Sequence, residues 1–511
     1  MGANKSKEEK NKYLKEIGIR AMKKNPFSFL ICTKINLTND IIISKSSSDP
    51  SENYKKLNLI GEGNFTQIYR VRNEITDSIQ AMKVINKSEC LLKDKKEILT
   101  EISILKKIDH PNILKLFEFY STNDNYSLIM ELCSGGELYK EIVERGPFDE
   151  KYTSYVMYQI FSAVNYCHKM NIIHRDLNPE NILIFDRNDK GYPSIKICDF
   201  GTSKIFEKGS IQKKIVGSLF YIAPEVLKHK YNEKCDIWSC GVIMYILLSQ
   251  TLPFKGETEE EFLDKIMIGK YDLESPPFNK ISKNAKDLIS KLLLNDPEKR
   301  INAEEALNHP WFIENKSKEL YNHINDENIL KNLIENLKNY KNHSVIQQTA
   351  LAFLVHNFPQ LKDVINACKL FNQIDTNGDG KINKKELYEG LKEKIKLDNL
   401  ESIVNIIYKN LDMNNNGFIE YEEFVRAAIN KDIFITDHIL LFAFKYFDKD
   451  GSDEITFDEI EKVFKKSIPD QNKIHDYLVK IIKEVDINDD GKISFPEFCR
   501  VMKRMLKDDS Q

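Results

Sequence analysis

The chain has 511 residues, 75 Lys+Arg set against 78 Asp+Glu, and 41% apolar residues. At about 150 residues per domain this is length for about three domains, each able to bury a core. High apolar content excludes a disordered tail protein, and the lack of a basic excess argues against a dedicated nucleic-acid binder.

The nine cysteines (32, 90, 133, 167, 198, 235, 240, 368, 499) include no C-x-x-C pair, so they read as reduced thiols. Residues 1–24 carry eight Lys/Arg against three Glu, and the start Met-Gly-Ala-Asn-Lys-Ser lacks the apolar core of a secretory signal. Gly2 with Ser6 fits N-myristoylation, and the lysines at 5, 7, 10, 12 and 15 would add an electrostatic anchor to one weakly binding acyl chain. The expectation is a cytoplasmic chain, peripheral on the cytoplasmic face of membranes through this arm. Residues 25–45 receive no assignment, and the polar stretch Ser46–Asn53 reads as a linker. The longest apolar run, Cys240–Leu248, is about half a bilayer span and is expected as a buried helix.

From Tyr54 to about Phe312, short β-type stretches give way to long helical patterns. Ile60 precedes Gly61-Glu62-Gly63-Asn64-Phe65-Thr66-Gln67-Ile68, and Ala81-Met82-Lys83 and Glu101 follow. Next come His174-Arg175-Asp176-Leu177-Asn178-Pro179-Glu180-Asn181 and Asp199-Phe200-Gly201. Ala223-Pro224-Glu225 and Asp236-Ile237-Trp238 complete the series. Motifs in this order resemble a protein kinase, the Asn-Pro-Glu-Asn ending being the serine/threonine form.

The resemblance implies roles residue by residue. Lys83, held by Glu101, would bind the α and β phosphates of ATP. Asn181 and Asp199 would hold Mg2+, and Asp176 would orient the substrate hydroxyl and accept its proton. Ile60, Gly61, Glu62, Gly63, Asn64, Phe65, Thr66, Ile68, Ala81, Met130 (the gatekeeper), Glu131, Cys133 and Glu137 would line the nucleotide pocket. Glu137 and Glu180 match positions that contact arginine upstream of the target, which implies protein substrates with basic residues before Ser/Thr. Ser218 resembles the hydroxyl that contacts the catalytic aspartate, and Cys198 reads as a small buried hydrophobe. Two positions depart from the pattern. Thr66 replaces a loop glycine, and Asn178 replaces the catalytic-loop lysine, an electrostatic stabiliser of a kind worth about 3 kcal/mol.

The C-terminal third holds four twelve-residue loops of the form D-x-[DN]-x-[DNS]-x-x-I-x-x-x-E. Ca2+ takes six to eight oxygens, and positions 1, 3, 5, 7, 9 and 12 of such a loop wrap it. The ligands expected are Asp375, Asn377, Asp379, Lys381 and Glu386, then Asp412, Asn414, Asn416, Phe418 and Glu423. The third and fourth sets are Asp448, Asp450, Ser452, Glu454 and Glu459, and Asp486, Asn488, Asp490, Lys492 and Glu497, with Lys381, Phe418, Glu454 and Lys492 contributing carbonyl oxygen. Ile382, Ile419, Ile455 and Ile493 at position 8 suit a β-bridge between paired loops. Position 6 is Gly380, Gly417 and Gly491 but Asp453 in the third loop, so that site is expected to be the weakest or distorted.

Between these parts, Ile329, Leu330, Leu333, Ile334, Leu337 and Tyr340 are spaced for one helical face. Kinase, junction and four loops together resemble the calcium-dependent protein kinases of plants and protists. The fold expected is multidomain α+β: a bilobal kinase (54–312) after an N-terminal extension (1–53), an autoinhibitory junction (313–360), and an all-α calmodulin-like domain with two EF-hand pairs (361–511). The family implies that calcium-loaded lobes seize the junction, taken as one amphipathic helix over 329–355. With three lysines and no arginine, that helix suits steric restraint better than pseudosubstrate occupation of the cleft. The function expected is calcium-activated phosphoryl transfer, against a calcium-sensing pseudokinase, a calcium buffer, and a junction helix packed beneath the kinase.

Overall fold

The computed structural model describes residues 45–46, 49–63, 66–187, 191–207, 209–315, 326–340, 345–358, 361–392, 394, 399–412, 416–464, 478–479, 482–483 and 485–509. Gly2, the basic arm, Cys32, Asn64, Phe65 and Asn414 lie outside these residues.

The first domain opens on a six-stranded sheet. Its strands are β1 (Lys45–Ser46), β2 (Tyr54–Glu62), β3 (Thr66–Asn73), β4 (Ile79–Asn86), β5 (Leu116–Ser121) and β6 (Asn125–Met130), in the order β1-β5-β6-β4-β3-β2. All neighbours are antiparallel except β1, which adds parallel to β5 through Lys45↔Phe119 and Ser46↔Tyr120. The stretch expected as a linker is therefore partly ordered: it pairs the edge of β5, whose backbone groups need partners, and then turns through Pro50–Glu52, capped by Asp49. Helix α1 (Leu92–Leu105) follows β4.

The second lobe is helical. Helix α2 (Leu138–Arg145) leads to α3 (Glu150–Lys169), whose Asp149 cap accepts from the Tyr152 N–H at 2.7 Å. The hairpin β7 (Ile182–Arg187) and β8 (Pro193–Ile197) follows. Helix α4 (Lys234–Ser249) carries the longest apolar run and is buried from Cys235 to Ser249, as an all-round apolar helix must be. Arg300 and Glu225 pair inside this lobe at 2.5 and 3.0 Å. No helix among the described residues is long and apolar enough to cross a membrane.

The junction differs from the single helix expected. It forms α5 (Glu327–Asn339) and α6 (Val345–Asn357), separated by the extended Tyr340. Leu330, Leu333, Ile334, Leu337 and Tyr340 are buried as the spacing foretold, and they share one core with the EF-hand helices. Asn336 donates to the Ala428 carbonyl at 2.8 Å and Asn410 to the Lys338 carbonyl at 3.0 Å. Helix α6 is buried from Ile346 to Asn357 except at half-buried Gln348 and lies in the same core, with Phe353 stacked on Tyr446 at 4.3 Å. The junction is thus held by the calcium-binding lobes rather than packed beneath the kinase.

Each lobe pairs two loops. Helices α7 (Lys362–Ile374), α8 (Lys384–Lys392), α9 (Leu400–Leu411) and α10 (Tyr421–Ala428) frame the first two, joined by Ile382↔Ile419. Helices α11 (Asp437–Phe447), α12 (Phe457–Phe464) and α13 (Phe495–Asp509) belong to the second pair, joined by Ile455↔Ile493. The bridge predicted from position 8 is present in both.

Candidate active site and calcium loops

The cleft groups converge from separate elements. Lys83 on β4 reaches Glu101 of α1 at 3.2 and 2.9 Å. Burial alone would lower Lys83, but the charges of Glu101 and then Asp199 outweigh it and raise its pKa. Below, the catalytic loop hangs on Asp236 at the start of α4, which accepts from the His174 N–H (2.9 Å), the Arg175 N–H (2.8 Å) and His168 (2.9 Å). Burial opposes ionisation of Asp236, yet His168 and the neighbouring histidine charge outweigh it and keep the carboxyl below its usual range. Phe200 is fully buried against His174, at 4.8 Å between rings.

Asp176 is tied from three sides. Ser218 donates to its Oδ1 through Oγ (2.7 Å) and N–H (2.8 Å), matching the contact expected of that hydroxyl. Asn178 donates to the same oxygen at 3.1 Å and to Ser218 at 3.1 Å, while its own Oδ1 accepts from the N–H groups of Glu180 and Asn181, both at 3.0 Å. A neutral amide thus occupies the lysine position as a fully bonded brace. Asn181 donates to the Asp176 carbonyl at 2.9 Å. Gly217, at φ +107°, permits this closeness, because a Cβ there would stand 2.5 Å from the Arg175 carbonyl.

Thr66 is the first residue of β3, paired with Ile85, and its carbonyl accepts from Gly63 at 2.8 Å. It sits in strand geometry that needs no glycine. The tight approach falls on Gly63, whose Cβ would meet Thr66 Oγ1 at 2.7 Å. Ala81 and Met130 are buried, Ile60 is exposed, and Ile68 and Cys133 are half-buried around the cleft. Glu131 is buried and pairs with Lys196 at 2.8 Å. Glu62 and Glu180 are exposed, and Glu137 precedes α2.

The loops gather oxygens by one recurring device. Position 1 accepts at Oδ2 from the position 6 N–H: Asp375 from Gly380 (2.9 Å), Asp412 from Gly417 (3.2 Å), Asp448 from Asp453 (3.0 Å), Asp486 from Gly491 (2.7 Å). Asp453 takes φ +62°, the turn its glycine counterparts make, so the third loop is not distorted. Asp448, Asp450 and Glu459 bring carboxylate oxygens within 4.8 Å of one another. Glu497 folds back onto the N–H groups of Ile487 (2.9 Å) and Asn488 (3.2 Å), and Glu386 onto the Thr376 hydroxyl (3.1 Å). Asn377, Asp379, Asn416 and Asn488 turn side-chain oxygens onto nearby N–H groups. Ser452 instead donates to the Glu454 carbonyl at 3.0 Å. Burial and then Asp379 push Asp375 up to about 8, and burial pushes Glu423 up to about 7. A cage of carboxylates that disfavour one another's ionisation is relieved by a divalent cation, so this donor set fits Ca2+.

Sequence reasoning missed how the loops meet the kinase. Loop 1 rests on α3: Asn165 donates to the carbonyls of Asn377 (3.2 Å) and Gly378 (3.4 Å), and Tyr158 to that of Asp375 (3.4 Å). Lys169 pairs with Asp379 at 3.2 Å. A Cβ on Gly378 would meet Leu307 at 2.8 Å, and one on Gly380 would meet Tyr166 at 2.6 Å. The charge of Lys449, in loop 3, offsets part of the burial that raises Glu118 on β5. From α6, His356 donates to the Leu116 carbonyl at 2.9 Å. Gly378 gave no signal of this contact, since loop 3 has a glycine, Gly451, at the same position with open space around it.

The fold and cleft define a protein kinase joined to a paired calcium-binding domain. The protein kinase domain family matches residues 54–312, and the EF-hand domain pair family matches 366–429 and 440–503. The chain is 40% identical over 469 residues to calcium-dependent protein kinase 4 of Plasmodium berghei (strain Anka), covering 90% of this chain and 88% of that one. It is 39% identical over 476 residues to calcium-dependent protein kinase 4 of Plasmodium falciparum (isolate 3D7), covering 91% and 89%. It is 36% identical over 465 residues to calcium-dependent protein kinase 33 of Arabidopsis thaliana, covering 90% and 87%. The chain belongs to the calcium-dependent protein kinase family. It is a calcium-activated serine/threonine protein kinase that uses ATP and Mg2+ and binds Ca2+.

Proposed function

We propose that Asp176 positions the acceptor hydroxyl and takes its proton while Lys83, held by Glu101, binds the α and β phosphates of ATP. Asn181 and Asp199 would hold Mg2+, which supplies charge neutralisation at the phosphates. The observation that carries this reading is the assembled cleft: the Lys83–Glu101 pair is made and Asp176 is braced by Ser218 and Asn178. Asn178 keeps the loop ordered but brings no charge; Asn178→Lys would add the charge while removing the acceptor for the Glu180 and Asn181 N–H groups. The nucleotide rests among Ile60, Ala81, Ile68, Met130 and the backbone from Glu131 to Cys133. Glu137 and Glu180 favour protein substrates with basic residues upstream of Ser/Thr.

The proposed division is 1–53, kinase 54–312, junction 313–360 and calcium-binding domain 361–511. Calcium in the loops fixes the lobes that grip α5 and α6 and lets loop 1 settle on α3, which keeps the junction away from the cleft. Gly2 acylation with the basic arm would hold the chain on the cytoplasmic face of membranes.

The test is phosphorylation of an arginine-containing serine peptide by the intact chain, in calcium and in chelator, beside Asp176→Asn. Calcium-dependent transfer that falls at least about a thousandfold in Asp176→Asn supports the assignment. Equal rates for the variant, or calcium binding with no transfer, refute it in favour of a pseudokinase.

A further inference from the structure

Between the kinase domain and the calcium-binding lobes lies a cavity of about 150 Å3, walled by Tyr155 and Tyr158 of α3, Val355 of α6 and Val425 of α10. Cavities of about this volume hold a single aromatic ring. Several polar atoms facing it make no hydrogen bond among the described residues: those of Arg426 and His356, Asp109 Oδ2, and Glu131 Oε2, which lies 2.8 Å from the Lys196 ammonium. Arg426 is only 4% exposed, yet its Nε and Nη1 make no hydrogen bond among the described residues. His356 is 1% exposed and donates through Nε2 to Leu116, which leaves Nδ1 a bare acceptor with no donor. Burial, then the charge of Lys115, keeps that imidazole neutral.

Buried groups of this kind cost stability unless something bonds them. Lys115 and Lys196 in the same wall are already paired, with Asp109 at 3.3 Å and Glu131 at 2.8 Å. Glu422 and Glu423 offset part of the Arg426 charge through space without accepting from those nitrogens. The unmet needs are therefore an acceptor for a guanidinium and donors for an imidazole nitrogen and for the second oxygen of Asp109, beside an apolar slot. Glu131 ties the site to the nucleotide cleft, since its carboxylate lines the cavity while its backbone belongs to the predicted adenine-contacting segment.

We propose that this cavity is a regulatory site for a small aromatic carboxylate that also carries an N–H donor. The carboxylate accepts from Arg426, the N–H donates to His356 Nδ1, and the ring lies between the tyrosines and Val425. Because both domains build the walls, the ligand binds only the docked arrangement. At ten times its Kd it multiplies the docked population about elevenfold. Shared over four calcium sites, that lowers the calcium needed for half activation about 1.8-fold.

The probe is 4-aminobenzoate, with aniline as the analogue lacking the carboxylate, titrated calorimetrically into the full chain. Expected are saturable binding in calcium, at least tenfold weaker binding in chelator, and at least tenfold weaker binding in Arg426→Lys. Val355→Phe fills the slot without touching Arg426 and should block the probe equally, which covers a misfolded Arg426 variant. The calcium curve for peptide phosphorylation should shift by the stated factor. No saturable binding at millimolar probe, equal binding of aniline, or equal binding in chelator overturns the proposal and leaves the cavity to water. The inference rests on calcium-dependent docking, and the two fail differently: loss of docking shows as calcium-insensitive phosphorylation without probe, whereas loss of this site leaves the calcium response intact.

Discussion

Loops 1 and 2 share a lobe, a β-bridge and the same residues at positions 1, 3, 6, 8 and 12, yet their surroundings differ. A Cβ at Gly380 would strike Tyr166 of the kinase, while one at Gly417 would meet nothing within 4 Å. Asp375 is pushed up to about 8 by burial and by Asp379, and Lys381 is half-buried where its loop 2 counterpart Phe418 is exposed. The contrast separates two jobs that the repeat disguises. Each loop carries its own donor residues in the sequence, but loop 1 also presents its backbone carbonyls to Asn165 and Tyr158. Coupling is reciprocal, so a kinase that grips loop 1 also favours calcium there.

Among changes within the loops, the largest effect should come from removing the position 12 carboxylate. If moving the switch from 1% to 99% takes about 5.5 kcal/mol, each of four sites supplies about 1.4 kcal/mol, a tenfold share. Glu386→Gln should lower the active-to-inactive ratio in saturating calcium by about tenfold or more, and Glu423→Gln by less. Equal losses, measured as peptide phosphorylation rates, would erase the distinction between the loops.

A finer comparison sets Gly378→Ala against Gly451→Ala. Both glycines have positive φ, +63° and +69°, so backbone strain is shared, but only Gly378 abuts the kinase. Overpacking of this kind costs about 2 kcal/mol, roughly thirtyfold in docking, and spread over four sites raises half-activating calcium about 2.3-fold beyond the Gly451→Ala effect. Matching calcium curves would show that the contact carries no energy. The smallest effect belongs to Lys169→Ala. Its pair with Asp379 is part-exposed, worth about 0.5 kcal/mol, and its loss should shift half-activating calcium by only about 1.2-fold.

The parts written in local spacing were legible in the sequence. The bridging isoleucines and the apolar face of α5 follow from residues a few positions apart, and each kinase motif is a short run of its own. What escaped was written across domains. Asn165, Tyr158 and Lys169 look like ordinary helix residues until loop 1, more than 200 residues away, rests on them. The apolar spacing of the junction runs on past Tyr340, so it does not mark the break between α5 and α6. Asn178 looked like a lost charge and proved to be a bonded brace. Asp453 looked like a strained turn and folds as its glycine counterparts do, since a side chain with its own polar group tolerates the left-handed region at a cost of order 1 kcal/mol.

The central claim is that the kinase reads calcium through the seat of loop 1 on α3. The most direct measurement is the calcium activation ratio of full-length Asn165→Trp, a substitution on the kinase that leaves every calcium ligand in place. The account predicts that calcium still binds the loops while the ratio collapses towards one. A calcium curve for peptide phosphorylation that overlays the wild type would contradict it.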